Sequence, residues 1–95
     1  MADIWSVAVR ITPDVLHQEM GGETVLLNLA NEKYFGLDLV GTRVWQLLNE
    51  TQSANDVVTR LTEEYDVPIE QLRADVARLI NELVAAGLVS IGESV

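Results

Sequence analysis

The chain has 95 residues, a hydrophobic share of 48%, a mean hydropathy of +0.17 and no cysteine. Those values suit one globular domain with its own core, and they exclude disulfides, thiolate zinc sites and extended disorder. The formal net charge of −9 excludes the dense phosphate-neutralising surface that duplex DNA or an anionic membrane requires, and favours a neutral or basic partner.

In chain order, the first segment, MADIWSVAVRITPD, lacks the basic start and long apolar stretch of a signal peptide. No apolar run approaches the ~20 residues of a membrane span. A reducing cytoplasm is the expected setting. Val7 to Ile11 reads as a short strand closed by Thr12-Pro13. Val15 to Met20 leads into Gly21-Gly22, a pair suited to the positive φ angles of a tight hairpin. Glu23 to Ala30 follows, with Val25, Leu27 and Leu29 on one face and Leu26 and Asn28 on the other. Asn31-Glu32 makes the next turn, and Lys33 to Leu37 is the third strand of the meander.

Asp38 is placed to cap a helix over Leu39 to Asn49, with Val40, Val44, Leu47 and Leu48 as its apolar stripe and Trp45 beside it. Gly41 predicts close packing against a neighbour. Ser53, with Asp56 three residues on, starts a second helix to about Tyr65, whose core face is Val57, Val58 and Leu61. Asp66-Val67-Pro68 stops it. The last helix, from Ile69 to about Ala86, repeats apolar residues at Ile69, Leu72, Val76, Leu79, Ile80, Leu83 and Val84. Gly87 is its expected stop, and Leu88 to Ile91 a small terminal strand. The fold class is therefore α+β of winged helix-turn-helix type, a three-stranded antiparallel sheet followed by three α-helices. Residues 1–14 form an N-terminal extension with a short strand, 15–91 the domain and 92–95 a tail.

Residues for catalysis are sparse. His17 is the only histidine, and a strand position makes it an ordinary exposed or half-buried residue. Glu63, Glu64 and Asp66 cluster at a helix end, where such carboxylates usually form a solvated face. No glycine-rich phosphate loop is present. Trp45 reads as core, and Trp5 as lying on an exposed N-terminal strand. No catalytic residue, metal ligand or cofactor is assigned.

What remains is a surface. The third strand passes directly into a helix, which places it at a sheet edge with unpaired N–H and C=O groups, open to an added peptide strand. Gly36 permits close backbone approach, and Tyr34 and Phe35 offer apolar walls. The last helix carries an apolar arc wider than a small sheet requires, so its rim from Leu72 through Asp75 and Val76 to Leu79 is placed to floor a groove beside that edge. Simple core filling by the same residues is the alternative.

The stretch GETVLLNLANEKYFGLDLVGTRVWQLLNE, continued by SANDVVTRLTEEYDVPIEQLRADVARLINELVAAGLV, resembles the PqqD-like family of precursor recognition elements. The ordered pieces are an LLNL strand, K-Y-F-G-L, a V-G-x-x-V-W-x-L-L helix, a capped helix ending E-E-Y-D and a closing L-V-A-A-G-L-V, together covering Gly22 to Val89. The stand-alone length is most similar to the recognition proteins of lasso-peptide biosynthesis. The resemblance implies a non-catalytic protein that binds the leader segment of a ribosomally made precursor peptide. The leader would add as a strand to Lys33, Tyr34, Phe35, Gly36 and Leu37, against a helix rim of Leu72, Asp75, Val76 and Leu79. Arg73 and Asp75 are the charges best placed to contact it, and the resemblance leaves open which of the two faces it. A leader peptidase and a macrocycle-forming enzyme are the implied partners, with no nucleic acid and no membrane. The residues before Val15 have no counterpart in the family pattern. Three rival readings are a winged-helix DNA-binding regulator, a small enzyme or metal protein, and a structural subunit of a larger complex.

Overall fold

The structure, a computed structural model, describes residues 4–92; positions 1–3 of the extension and 93–95 of the tail lie outside the described residues. Eight elements follow in order: β1 (Ala8–Ile11), β2 (Val15–Met20), β3 (Glu23–Asn28), β4 (Lys33–Leu37), α1 (Leu39–Thr51), α2 (Ala54–Glu64), α3 (Ile69–Ala85) and β5 (Val89–Gly92). The three-stranded antiparallel sheet runs β2-β3-β4, and the three helices follow it in the expected winged arrangement. The hairpin between β2 and β3 has positive φ at both Gly21 and Gly22, the backbone twist that a two-residue turn needs.

Cross-strand pairing sets which face is buried. Leu26 stands between His17 and Phe35, and Thr24 between Glu19 and Leu37. Thr24, Leu26 and Asn28 are buried, whereas Val25 and Leu29 are exposed. The core therefore takes the face with fewer apolar residues. Asn28 decides this: its amide Nδ2 donates to the backbone oxygens of Ala86 (3.2 Å) and Gly87 (3.1 Å) at the end of α3. Its Oδ1 accepts from Ala30 N at 2.9 Å, which turns the chain and ends β3 two residues before Ala30.

The caps are as the sequence indicates. Asp38 accepts from Gly41 N at 2.7 Å and Ser53 from Asp56 N at 3.2 Å. α1 runs two residues beyond Asn49, to Thr51. Gly41 is buried, and a Cβ there would lie 3.2 Å from Leu37 Cδ2, so α1 packs closely on the end of β4. Val44, Trp45, Leu47 and Leu48 join Val57, Val58 and Leu61 of α2 and Leu72, Val76, Ile80 and Leu83 of α3 in one core. Three residues assigned to core stripes are exposed instead: Val40 (41%), Ile69 (53%) and Val84 (38%). Val40 and Ile69 lie in first turns, beyond the layer that the other helices cover. Val84 stands about 40° past Ile80 around the helix, at the margin of the buried arc.

The N-terminal strand pairs with the C-terminal one. β1 and β5 form a separate antiparallel ribbon, with Val9 opposite Ile91, and Val9 and Val89 are buried in the main core. Trp5 precedes β1 in a turn and is half-buried, which corrects the expectation of an exposed strand residue. Its carbonyl accepts from Asn55 Nδ2 at 2.6 Å. The described helices include none long and apolar enough to cross a membrane.

Candidate functional site

β4 is an edge strand, paired with β3 on one side only. Lys33, at its start, lies opposite Asn28, and Asn28 holds the C-terminal end of α3. β4 consequently leaves that end of α3 and runs toward the helix middle. A cleft of about 450 Å³ opens between the two. Phe35, Gly36 and Leu37 form its strand side, and Leu72, Val76 and Leu79 its helix side, with Asp75 on the rim. The strand and helix residues that the sequence singled out thus meet at one groove.

Two strand residues stand apart from the cleft itself. Lys33 and Tyr34 are exposed, Tyr34 at 73%, and strand alternation turns Tyr34 and Gly36 to the outer sheet face. A Cβ on Gly36 would meet nothing within 4 Å. Arg73 does not line the groove. Two residues along a helix turn the side chain by about 200°, so Arg73 and Asp75 flank the buried stripe on opposite sides. Its guanidinium lies over the Trp5 ring, 4.2 Å from the ring centre.

Several groove residues escaped the sequence reading. Val40, Gly41 and Val44 of α1 close one end, and Asp38, Arg78 and Glu82 add charge to the rim. The signal for Val40 was its place in the first turn of α1, just past the strand-to-helix corner, which puts it beside the end of β4. Asp75 and Arg78 pair loosely, at 3.6 Å.

Elsewhere, charges mainly tie elements together. Arg43 makes a two-pronged contact with Glu64, Nε to Oε1 at 2.8 Å and Nη2 to Oε2 at 2.7 Å. Its Nη1 also donates to Gln46 Oε1, and Gln46 Nε2 to Glu19 Oε1, linking α2 through α1 to β2. Hydrogen bonding by Arg43, more than its charge, holds the Glu64 carboxyl below its ordinary range, against the opposing effect of desolvation. His17 is exposed. Among the described residues, no three His, Asp or Glu side chains converge to hold a metal ion.

An exposed strand edge thus stands beside an apolar helix rim on a small winged scaffold. Residues 23–89 match the family described as coenzyme PQQ synthesis protein D, PqqD. The chain belongs to the PqqD family. Among solved structures it is similar to "TbiB1 in Complex with the TbiA(beta) Leader Peptide", with 32% identity and a TM-score of 0.81 over 85% of this chain and 94% of that one. It is also similar to "Lasso peptide synthetase B1 complexed with the leader peptide", with 26% identity and a TM-score of 0.78 over 87% and 98% of the two chains. No curated protein matches it. The PqqD match ends at Val89 and begins at Glu23, so β1, β2 and most of β5 lie outside it.

Proposed function

We propose that this PqqD-family chain binds the leader segment of a ribosomally made precursor peptide, of the lasso class, and performs no chemistry on it. The observation that carries the reading is the groove between the free edge of β4 and the Leu72–Leu79 rim of α3. An extended peptide adding to β4 gains main-chain hydrogen bonds that demand little of its sequence, and side chains entering the cleft select it. The two similar structures, each a complex with a leader peptide, support this assignment. Lys33, Tyr34, Phe35, Gly36 and Leu37 supply the strand, and Leu72, Asp75, Val76 and Leu79 the facing wall. The bound precursor is then presented to a leader peptidase and a macrocycle-forming enzyme.

Four of the six basic residues are already engaged. Arg43, Arg60 and Arg78 are paired with carboxylates and Arg73 lies on Trp5, which leaves little to neutralise phosphates.

The test is titration with the synthetic leader of a precursor encoded beside this chain, using the parent and two variants. Phe35→Asp places a charge on the strand wall. Val40→Asp places one at the groove end, in a first helical turn where an acid is well tolerated. Micromolar binding by the parent, weakened about tenfold or more (~1.4 kcal/mol) in folded variants, is the expected result. Full affinity in both folded variants would move the site elsewhere, and no binding by the parent to any such leader would end the recognition role.

A further inference from the structure

The rim of the groove is charged unevenly. Asp38, Asp75 and Glu82 line it together with one cation, Arg78. Asp38 uses Oδ1 to cap α1, and Asp75 is paired with Arg78 at 3.6 Å. Glu82 forms no ion pair among the described residues, and it is exposed on the last turns of α3. The chain around it carries a net charge of −9. The apolar lining includes Leu72, Val76 and Leu79 of α3 with Val44 of α1, and Leu72 and Val76 stand six to ten residues before Glu82 along the helix. A peptide in this groove therefore meets an apolar floor first and an uncompensated carboxylate further along the same wall.

We infer that the occupant is a basic peptide, with one apolar side chain over Leu72 and Val76 and one lysine or arginine on the same face beside Glu82. This rests on the peptide-binding reading of the groove and names the chemistry that the groove selects. The spacing follows from the scaffold. From Leu72 or Val76 to Glu82 the helix advances about 9–15 Å. An extended strand covers that distance in about three to four residues. Because successive side chains alternate, the two groups on one face stand an even number apart, about four residues within that span. The cation gains from Glu82 and from the field of the whole chain, so association slows as salt is added.

The experiment is selection of a randomised library of extended peptides displayed on phage, against the parent and against Glu82→Lys. Both Glu82 and its replacement are exposed, so folding is not at stake. The parent is expected to enrich an apolar residue followed or preceded at an even spacing by lysine or arginine. The Glu82→Lys variant is expected to lose that basic preference, keep the apolar one and bind the parent's best peptide about fivefold more weakly. Exchange of the peptide's basic residue for glutamate should restore binding to the variant alone. Enrichment of apolar residues without a basic one would overturn this inference and leave the groove reading intact. If nothing is enriched on the parent, the groove reading fails and this inference with it.

Discussion

The guanidinium of Arg73 sits 4.2 Å from the centre of the Trp5 ring, and Asn55 donates to the Trp5 carbonyl at 2.6 Å. These two contacts fasten the segment before β1 onto α2 and α3, on the side of α3 turned away from the groove. Arg73 is therefore a structural residue of this chain. Arg73→Ala is expected to lower the melting temperature by about 4–8 °C, from a loss of about 1 kcal/mol, and to leave leader affinity unchanged. Calorimetry beside a leader titration checks both, and a large loss of affinity at unchanged stability would return Arg73 to the site.

Asn28 joins the middle strand to the end of α3, and Gly87 makes that approach possible. Gly87 has φ +73°, and a Cβ there would lie 2.8 Å from Asn28 Nδ2. Asn28→Asp replaces two donors with an acceptor facing carbonyl oxygens at a helix C-terminus, where negative charge is unfavourable. It is expected to cost about 3 kcal/mol at neutral pH, more than Asn28→Ala. Urea denaturation of both variants measures the order. An aspartate variant as stable as the alanine one would show that the tie to α3 contributes little.

Gly36 occupies open space and needs no positive φ. Gly36→Ala in the free chain is expected to be neutral or stabilising by up to about 1 kcal/mol, because a strand interior disfavours glycine. A destabilised variant would mean that the backbone there needs its glycine for folding. With folding unaffected, any change in leader affinity reads out peptide contact at this position directly.

The Arg43–Glu64 contact gives a pH signature. Glu64 titrates below its ordinary value of 4.5, chiefly through hydrogen bonds from Arg43. A depressed carboxyl contributes stability that is present above the ordinary value and lost as the pH falls through it toward the folded-state pKa. Both side chains are about one-third exposed, so the contribution is limited to about 1 kcal/mol. Arg43→Met should melt below the parent at pH 7, and the difference should close in acid. A gap of constant size down to about pH 3 would mean that Arg43 acts through packing on α1 instead.

Local chemistry made the helices legible. Asp38 and Ser53 announce their helices by capping, Gly87 stops the last one, and the i, i+3, i+4 spacing of Leu72, Val76, Ile80 and Leu83 marks the buried stripe of α3. The groove was legible in its two walls, Phe35 to Leu37 and Leu72 to Leu79, because a free strand edge beside an apolar helix rim invites an added peptide; core filling by the same residues was the alternative, and the family resemblance tipped the choice. Long-range relationships were not legible. The burial of Asn28 depends on carbonyls 58 and 59 residues away, and no strand pattern in ETVLLN foretells it. The pairing of Val9 with Ile91 has the same origin. Arg73 and Asp75 stand two residues apart on opposite sides of the helix, and only the three-dimensional arrangement shows which of them borders the cleft.

The ribbon of β1 and β5 sets Ala8 directly opposite Gly92, so the start of β1 and the end of β5 lie at the same end of one antiparallel pair. A pulling force applied through them acts across the strands, not along them, and loads one ladder bond at a time. Stretching therefore unzips the ribbon from Ala8 and Gly92 toward Ile11 and Val89 at low force. None of those ribbon residues lines the cleft, so the ribbon can open without removing a residue from the groove.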